Sequence, residues 1–275
     1  MLSESKIIAL YCIVDDLLKG LHHYEDVRTR VSDAEVITTA FVSTLYFSGH
    51  LDNARCFMKL KGYVPLMLDK SRFCRRLHRL GDLLLQLFYK LGQDLKNVAG
   101  ASNYQMDSFP VAACQNARIC RSRIIANKAF RGRHSSMGRY FYGVRVHILT
   151  HQGIPVEFCL VPGSENDTNA LYKLPLQVAP ESSIYLDAGY NDYRAEDHCM
   201  QAEGVHLKVE RKSNSRRKDT ISEAFIKNRM RKKVETTISQ IKAHMPAHIH
   251  AVTKNGFLIK VSLFVISFAF EQFVP

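Results

Sequence analysis

Residues 183–209 read SIYLDAGYNDYRAEDHCMQAEGVHLKV, and this stretch decides the fold class. Ser183 to Leu186 predicts a strand, Asp192 to Glu203 a helix begun by a capping Asp192, and Val205 to Val209 a further strand. Upstream, Tyr140 to Thr150 (YFYGVRVHILT) and Ile154 to Val161 (IPVEFCLV) alternate apolar and polar residues. His151-Gln-Gly153 joins them as a hairpin-like link. Further back, Asn103 to Phe109 (NYQMDSF) predicts a short strand stopped by Pro110, and Asp167-Thr-Asn-Ala predicts a helix start. Downstream, the basic loop ERKSNSRRKDT leads into a long helix from about Ser222 to Ala243. The order is strand, two-strand hairpin, helix, strand, helix, strand, helix. That order predicts an α/β layer built on a mixed sheet.

Residues up to about 100 read as helical. Ser32-Asp-Ala-Glu35 is a capping box in front of VITTAFVSTLYF. A second helix is expected over Asp52 to Lys61, closed by Gly62, and a third from about Asp69 through the eighties. That third segment, DKSRFCRRLHRL, crowds Arg72, Arg75, Arg76 and Arg79 into its first turns. A short helix, a Gly/Pro turn and a basic helix suggest helix-turn-helix contact with DNA. Two domains are therefore expected: 1–100, helical and DNA-binding, and 101–275, holding the α/β layer. Phe257 to Phe270 is almost wholly apolar, but it is short and contains Lys260, so a buried helix is expected and not a membrane span. The start of the chain reads as an amphipathic helix, with acids inside its apolar run.

With 275 residues the chain can bury a sizeable core unaided. Its net charge of +12 points to a polyanionic partner. Seven cysteines with no Cys-x-x-Cys pair argue against a disulfide framework or a zinc ribbon, and favour a reducing cytoplasm.

Three acids stand out. Asp107 lies in an apolar-leaning strand, Asp187 ends the strand IYLD, and Glu235 lies on the long basic helix. Acids on buried strands are costly unless a cation compensates them, and two in one sheet repel unless a metal lies between them. Carboxylates without a His/Cys cluster suit a hard cation, magnesium or manganese. Asn228, Arg231, Glu235 and Lys242 share one helix face, roughly 90° from the apolar stripe Ile226, Met230, Val234, Ile238, Ile241 and Met245. Arg231 and Lys242 could hold phosphates there. The basic segment bearing Arg211, Lys212, Arg216, Arg217 and Lys218 is expected to touch the DNA backbone. His244, His248 and His250 are interrupted by Pro246 and read as structural; Cys114 and Cys120 do not read as ligands.

The chain resembles the DDE transposases of bacterial insertion sequences, specifically the insertion-sequence-982-like group. The resemblance rests on YQMDSFPV, IYLDAGYND and NRMRKKVETTISQIK, in that order. Related families carry a Tyr-x2-Arg-x3-Glu-x6-Lys signature; Arg231, Glu235 and Lys242 supply three of its positions, and Asn228 departs at the tyrosine. The resemblance implies an RNase H-like domain in which Asp107, Asp187 and Glu235 are the catalytic, metal-binding acids. It also implies cleavage at transposon ends and strand transfer into target DNA by a two-metal mechanism using Mg2+, with Mn2+ as substitute. The implied partners are double-stranded DNA, as terminal inverted repeats and target, and a second copy in a homodimer on DNA. The implied setting is the cytoplasm of a bacterium, at the nucleoid. Two other readings remain open: a nuclease or resolvase of the same fold that does not join strands, and a DNA-binding protein with a decayed catalytic domain.

Overall fold

The computed structural model describes residues 3–274 apart from 123, 126 and 135–137. Its contacts divide the chain into two compact units, residues 92–240, and residues 1–91 together with 241–275.

The first of these holds a six-stranded sheet of β1 (Asn103–Cys114), β2 (Arg131–His134), β3 (Arg139–His151), β4 (Ile154–Pro162), β5 (Ser183–Leu186) and β6 (His206–Val209). The strand order is β2-β3-β1-β5-β6, and β4 also pairs with β3. β3 runs antiparallel to β1, β2 and β4, whereas β1, β5 and β6 are mutually parallel neighbours. With its helices this is the mixed α/β architecture expected, consistent with an RNase H-like fold. The β3–β4 hairpin turns through Gln152 (φ 51°) and Gly153 (φ 86°). Two successive left-handed residues suit the right-handed twist of the strands they join.

Alternation along the parallel strands sorts their side chains. Tyr104, Met106, Ile184, Leu186, Leu207 and Val209 are buried in one core with Leu171, Leu174 and Ala195. These last come from α6 (Asp167–Leu171), the segment after it, and α7 (Tyr193–Glu203). The intervening residues, Gln105, Asp107, Tyr185 and Asp187, face the other way. On that side Gln105 Nε2 lies 4.0 Å from Met230 Sδ on α8 (Ile221–His244).

Two expectations need correction. β1 does not stop at Pro110 but continues to Cys114. Its pairing with β5 ends at Met106, so beyond that point it is held only by β3, and a missing N–H on the other edge breaks no ladder. The basic helix after Asp69 is also two helices, α4 (Lys70–Arg79) and α5 (Gly81–Ala99), with Leu80 capping the first. α5 reaches close to β4: a Cβ on Gly92 would come within 2.3 Å of the Val156 carbonyl oxygen. One turn on, Lys96 donates to Glu157 Oε1 at 2.7 Å, with both side chains buried. Glu157 also accepts the backbone N–H groups of Leu176 and Gln177 at 2.9 and 3.1 Å. Such bonds are what a buried ion pair requires.

The second unit is helical: α1 (Glu4–Gly20), α2 (Asp33–Tyr46), α3 (Leu51–Leu60), α4 and α9 (Lys254–Glu271). The expected capping box is formed, with Glu35 N–H donating to Ser32 Oγ at 3.1 Å and Ser32 N–H to Glu35 Oε2 at 2.7 Å. α9 is buried over most of its length, as a helix apolar on all sides must be. It packs on α2, with the Phe41 and Phe270 rings 4.9 Å apart and Thr44 Oγ1 donating to Ser267 Oγ at 2.7 Å. The C-terminal segment thus groups with the N-terminal helices, whereas the sequence suggested one domain over 101–275. Among the described residues no helix is long and apolar enough to cross a membrane.

Candidate active site

Register across the three parallel strands builds the site. Met106 pairs with Leu186, and Leu186 with Val209. Asp107, Asp187 and Glu210 are the next residue in each strand direction, and the Glu210 N–H donates to the Leu186 carbonyl at 3.0 Å. Three acids therefore stand side by side on the face opposite the core, Asp187 and Glu210 just past the carboxyl ends of β5 and β6 and Asp107 where β1 leaves its pairing with β5. Glu235, on α8, is the fourth.

Arg231 lies among them. Its Nη1 is 3.3 Å from Asp187 Oδ1 and 3.1 Å from Glu210 Oε2, and its Nε is 3.1 Å from Glu235 Oε1, one helical turn on. Burial works against the guanidinium charge, but Asp187, Glu235, Asp107 and Glu210 outweigh it and hold its pKa above the ordinary value. Asp107 carries the opposite imprint. Burial, with the charges of Asp187 and Glu235, pushes its pKa up from 3.8 to about 6. The N–H of Ser108, at 2.7 Å, and the Arg231 charge compensate only in part. One guanidinium does not balance four carboxylates. All the donors are hard oxygens, so the set fits a divalent cation of the magnesium kind. In the present arrangement Asp107, Asp187 and Glu235 are not gathered to within ligating distance of one another. Among the described residues the set with three donor atoms within 4.8 Å of each other is His23, Glu25 and Asp33, in the helical unit. There Arg76 already supplies the cation, at 2.7 Å from Asp33.

On the core face, behind Asp107 and Asp187, lies a second polar network. Arg145 binds Asp167 at 2.9 Å, and Ser108 Oγ donates to the same carboxylate at 3.4 Å. His147, fully buried, meets the Tyr190 hydroxyl through Nδ1 at 2.7 Å. Burial, then the Arg145 charge, lowers the His147 pKa to about 3, and burial drives that of Tyr190 well up, so both stay neutral. The Tyr190 N–H also donates to the Asp187 carbonyl at 3.0 Å. The network therefore ties the middle of β1, which carries Asp107, to the end of β5, which carries Asp187. Asp167 is engaged by Arg145; the residue capping α6 is Asn166. Asp192 caps α7 as expected, accepting from Arg194 and Ala195.

The basic residues expected at DNA divide into two groups. Arg72, Arg75 and Arg79 are exposed on α4, while Arg76 is turned toward Asp33 and Glu25. In the loop after β6, Arg211 is buried against both oxygens of Glu196 and over the Tyr193 ring, and Arg217 binds Asp197 at 2.8 Å. Lys212, Arg216 and Lys218 are exposed. Lys212 and Arg216 share with Glu210 the wall of a cavity of about 360 Å³, also lined by Ala188 and Asn191. Lys242 is exposed in the last turn of α8, and Asn228 is exposed three residues before Arg231.

Glu210 escaped the sequence reading because it was counted with the basic loop it begins. The signal was available: HLKVE closes on an acid one residue past its strand, just as IYLD does.

The model of a family described as a transposase DDE domain matches residues 97–252, more than half of the chain. No curated protein and no solved structure matches it. The matched segment contains Asp107, Asp187, Glu210, Arg231 and Glu235 together with the sheet that aligns the first three. The chain therefore belongs to the transposase DDE domain family, enzymes that process DNA and generally depend on divalent metal ions.

Proposed function

We propose that this chain is an insertion-sequence transposase of the 982-like group, which cuts DNA at element ends and joins the freed 3′-hydroxyl to target DNA. The observation that carries the reading is the alignment of Asp107 and Asp187 on neighbouring parallel strands, with Glu235 reaching the same Arg231 from α8. In this reading Asp107, Asp187 and Glu235 hold magnesium or manganese. Bound there, the ions would polarise the phosphate and lower the pKa of the attacking water. The chain's own contribution is electrostatic and positional. The three carboxylates bring negative charge to one place; burial raises the Asp107 pKa to about 6, so a proton competes with the metal there. Arg231 presents a planar fork suited to a phosphate. The strand ends are held in register by the Asp167, His147 and Tyr190 network, which keeps the two aspartates at fixed spacing.

Residues 1–100 serve DNA binding in this proposal, through the exposed Arg72, Arg75 and Arg79. Lys212, Arg216 and Lys218 add backbone contacts near the acids, and Arg211 and Arg217 support the loop that carries them. The protein would act as a homodimer, one copy at each inverted repeat.

The test uses the full chain on a duplex bearing an element end. Glu235→Gln, Asp107→Asn and Asp187→Asn should each nearly abolish Mg2+-dependent nicking and strand transfer while DNA binding persists. Near wild-type nicking by the folded Glu235→Gln protein removes Glu235 from the metal-holding set. Nicking without joining, by wild type, favours a nuclease or resolvase instead.

A further inference from the structure

Four carboxylates surround Arg231, although the metal-holding reading uses three. Glu210 follows Val209 at the end of β6, in register with Asp187, and its backbone is pinned by the bond to Leu186. Its side chain donates nothing and accepts from Arg231 Nη1 at 3.1 Å, the one contact among the three to Arg231 that meets the geometry of a hydrogen bond. The contacts to Asp187 and Glu235 are ion pairs by distance only.

Arg231 therefore has two kinds of neighbour. Asp187 and Glu235 are carboxylates that a divalent cation would claim, and a cation entering there meets a resident positive charge. If Arg231 had no other anchor, metal entry would leave a half-buried guanidinium facing a dication with nothing to hold it. Repulsion over such a distance is large in a partly desolvated site. Glu210 removes that difficulty, because it offers a carboxylate on a neighbouring strand that keeps Arg231 bound while the other two are released.

We propose that Glu210 is a positioning residue: it is the seat of Arg231 when Asp187 and Glu235 turn to the metal. This rests on the reading of Asp107, Asp187 and Glu235 as the metal-holding acids. Arg231 then acts as an internal counter-ion that stabilises the acids before the metal arrives, and afterwards stays beside the site, held by one fixed contact.

The experiment is a double-mutant cycle read by Mn2+ binding, with calorimetry on the full chain without DNA. Glu210→Gln should weaken Mn2+ binding about tenfold, the scale typical of lost outer-shell partners. Arg231→Ala should bind Mn2+ at least as tightly as wild type. In the Arg231→Ala background, Glu210→Gln should change the affinity less than about twofold, because the seat has no occupant. Thermal melting without metal confirms that each variant is folded, and Glu210→Asp should recover part of the lost affinity. Equal weakening in both backgrounds would show that Glu210 acts on the ion directly, and it overturns the proposal. No weakening in either background overturns it too, and leaves the three-acid reading standing. Absence of Mn2+ binding by wild type brings down both.

Discussion

Each unit of the molecule contains acids gathered around one arginine, and the two clusters differ in what satisfies the carboxylates. In the helical unit Asp33 is met by Arg76 at 2.7 Å and by the His23 ring at 2.9 Å, while Glu25 accepts the Asp33 N–H at 2.9 Å. Donors from a side chain, a ring and the backbone converge on two acids at the start of α2, where the helix dipole also favours negative charge. In the sheet unit three acids share Arg231 and Asp107 lies beside them, with the N–H of Ser108 as its backbone donor. The first cluster is a finished structural joint. The second has more carboxylates than donors to meet them, and burial, with the charges of Asp187 and Glu235, raises the Asp107 pKa to about 6. Proximity of ligand atoms singles out the first cluster; the supply of donors is what distinguishes the two, and the proposed cation site is the one that lacks them.

The comparison can be broken most forcefully at Asp33. Its side chain is 6% exposed and that of Arg76 24%. Asp33→Ala leaves a partly buried guanidinium with only the 3.7 Å contact to Glu25 and should cost about 3 kcal/mol, the lower end for breaking a buried pair. Urea unfolding of the full chain measures it. A cost below about 1 kcal/mol would place this pair with ordinary surface ion pairs and erase the contrast. Mn2+ affinity should not change.

Asp107→Asn should act in the other direction. Its carboxyl has a folded-state pKa of about 6 against an ordinary 3.8, so the folded state prefers the proton. The resulting destabilisation is absent below about pH 4, grows as pH rises toward 6, and is complete above it. In metal-free protein the Asn variant should therefore match wild type near pH 4 and exceed it by about 3 kcal/mol at pH 7. A variant that gains nothing at pH 7 would show that Asp107 is already satisfied, and the two clusters would be alike.

A smaller effect sharpens the same contrast among the arginines. Neutralising Lys212, Arg216 and Lys218 should flatten the slope of log affinity for duplex DNA against log salt by up to roughly 0.9 per lost phosphate contact. Arg211→Ala should lower stability instead and leave the slope near that of wild type, because its charge is already taken by Glu196. Equal slopes for the triple variant and wild type would remove the loop from the DNA interface.

Much of this was legible in the sequence. Period-two alternation marked the β3–β4 hairpin, Ser32 and Glu35 marked the start of α2, and Asp107, Asp187 and Glu235 stood out as acids on otherwise apolar or basic elements. What escaped depended on neighbours distant in the chain. Pro110 stops a strand only where both edges are paired, and the sequence does not say which edges are. Leu80 could continue a helix as well as cap one. Glu210 gains its meaning from parallel register with Asp187, a tertiary fact, and from Arg231 twenty-one residues away. The apolar run of α9 announced burial but not the helices that would bury it.

That last point has a consequence for how the protein comes into being. The helices of residues 1–91 are made well before α9, yet α9 is the wall they pack on, with Phe41 waiting for Phe270 and Thr44 for Ser267. Between them lies the whole sheet unit. At translation speeds of about 5–20 residues per second, the N-terminal helices stay open for roughly 10–40 s while the rest is made. The helical unit is therefore complete only when synthesis is nearly over, and a chain released early would carry the sheet without a closed helical unit.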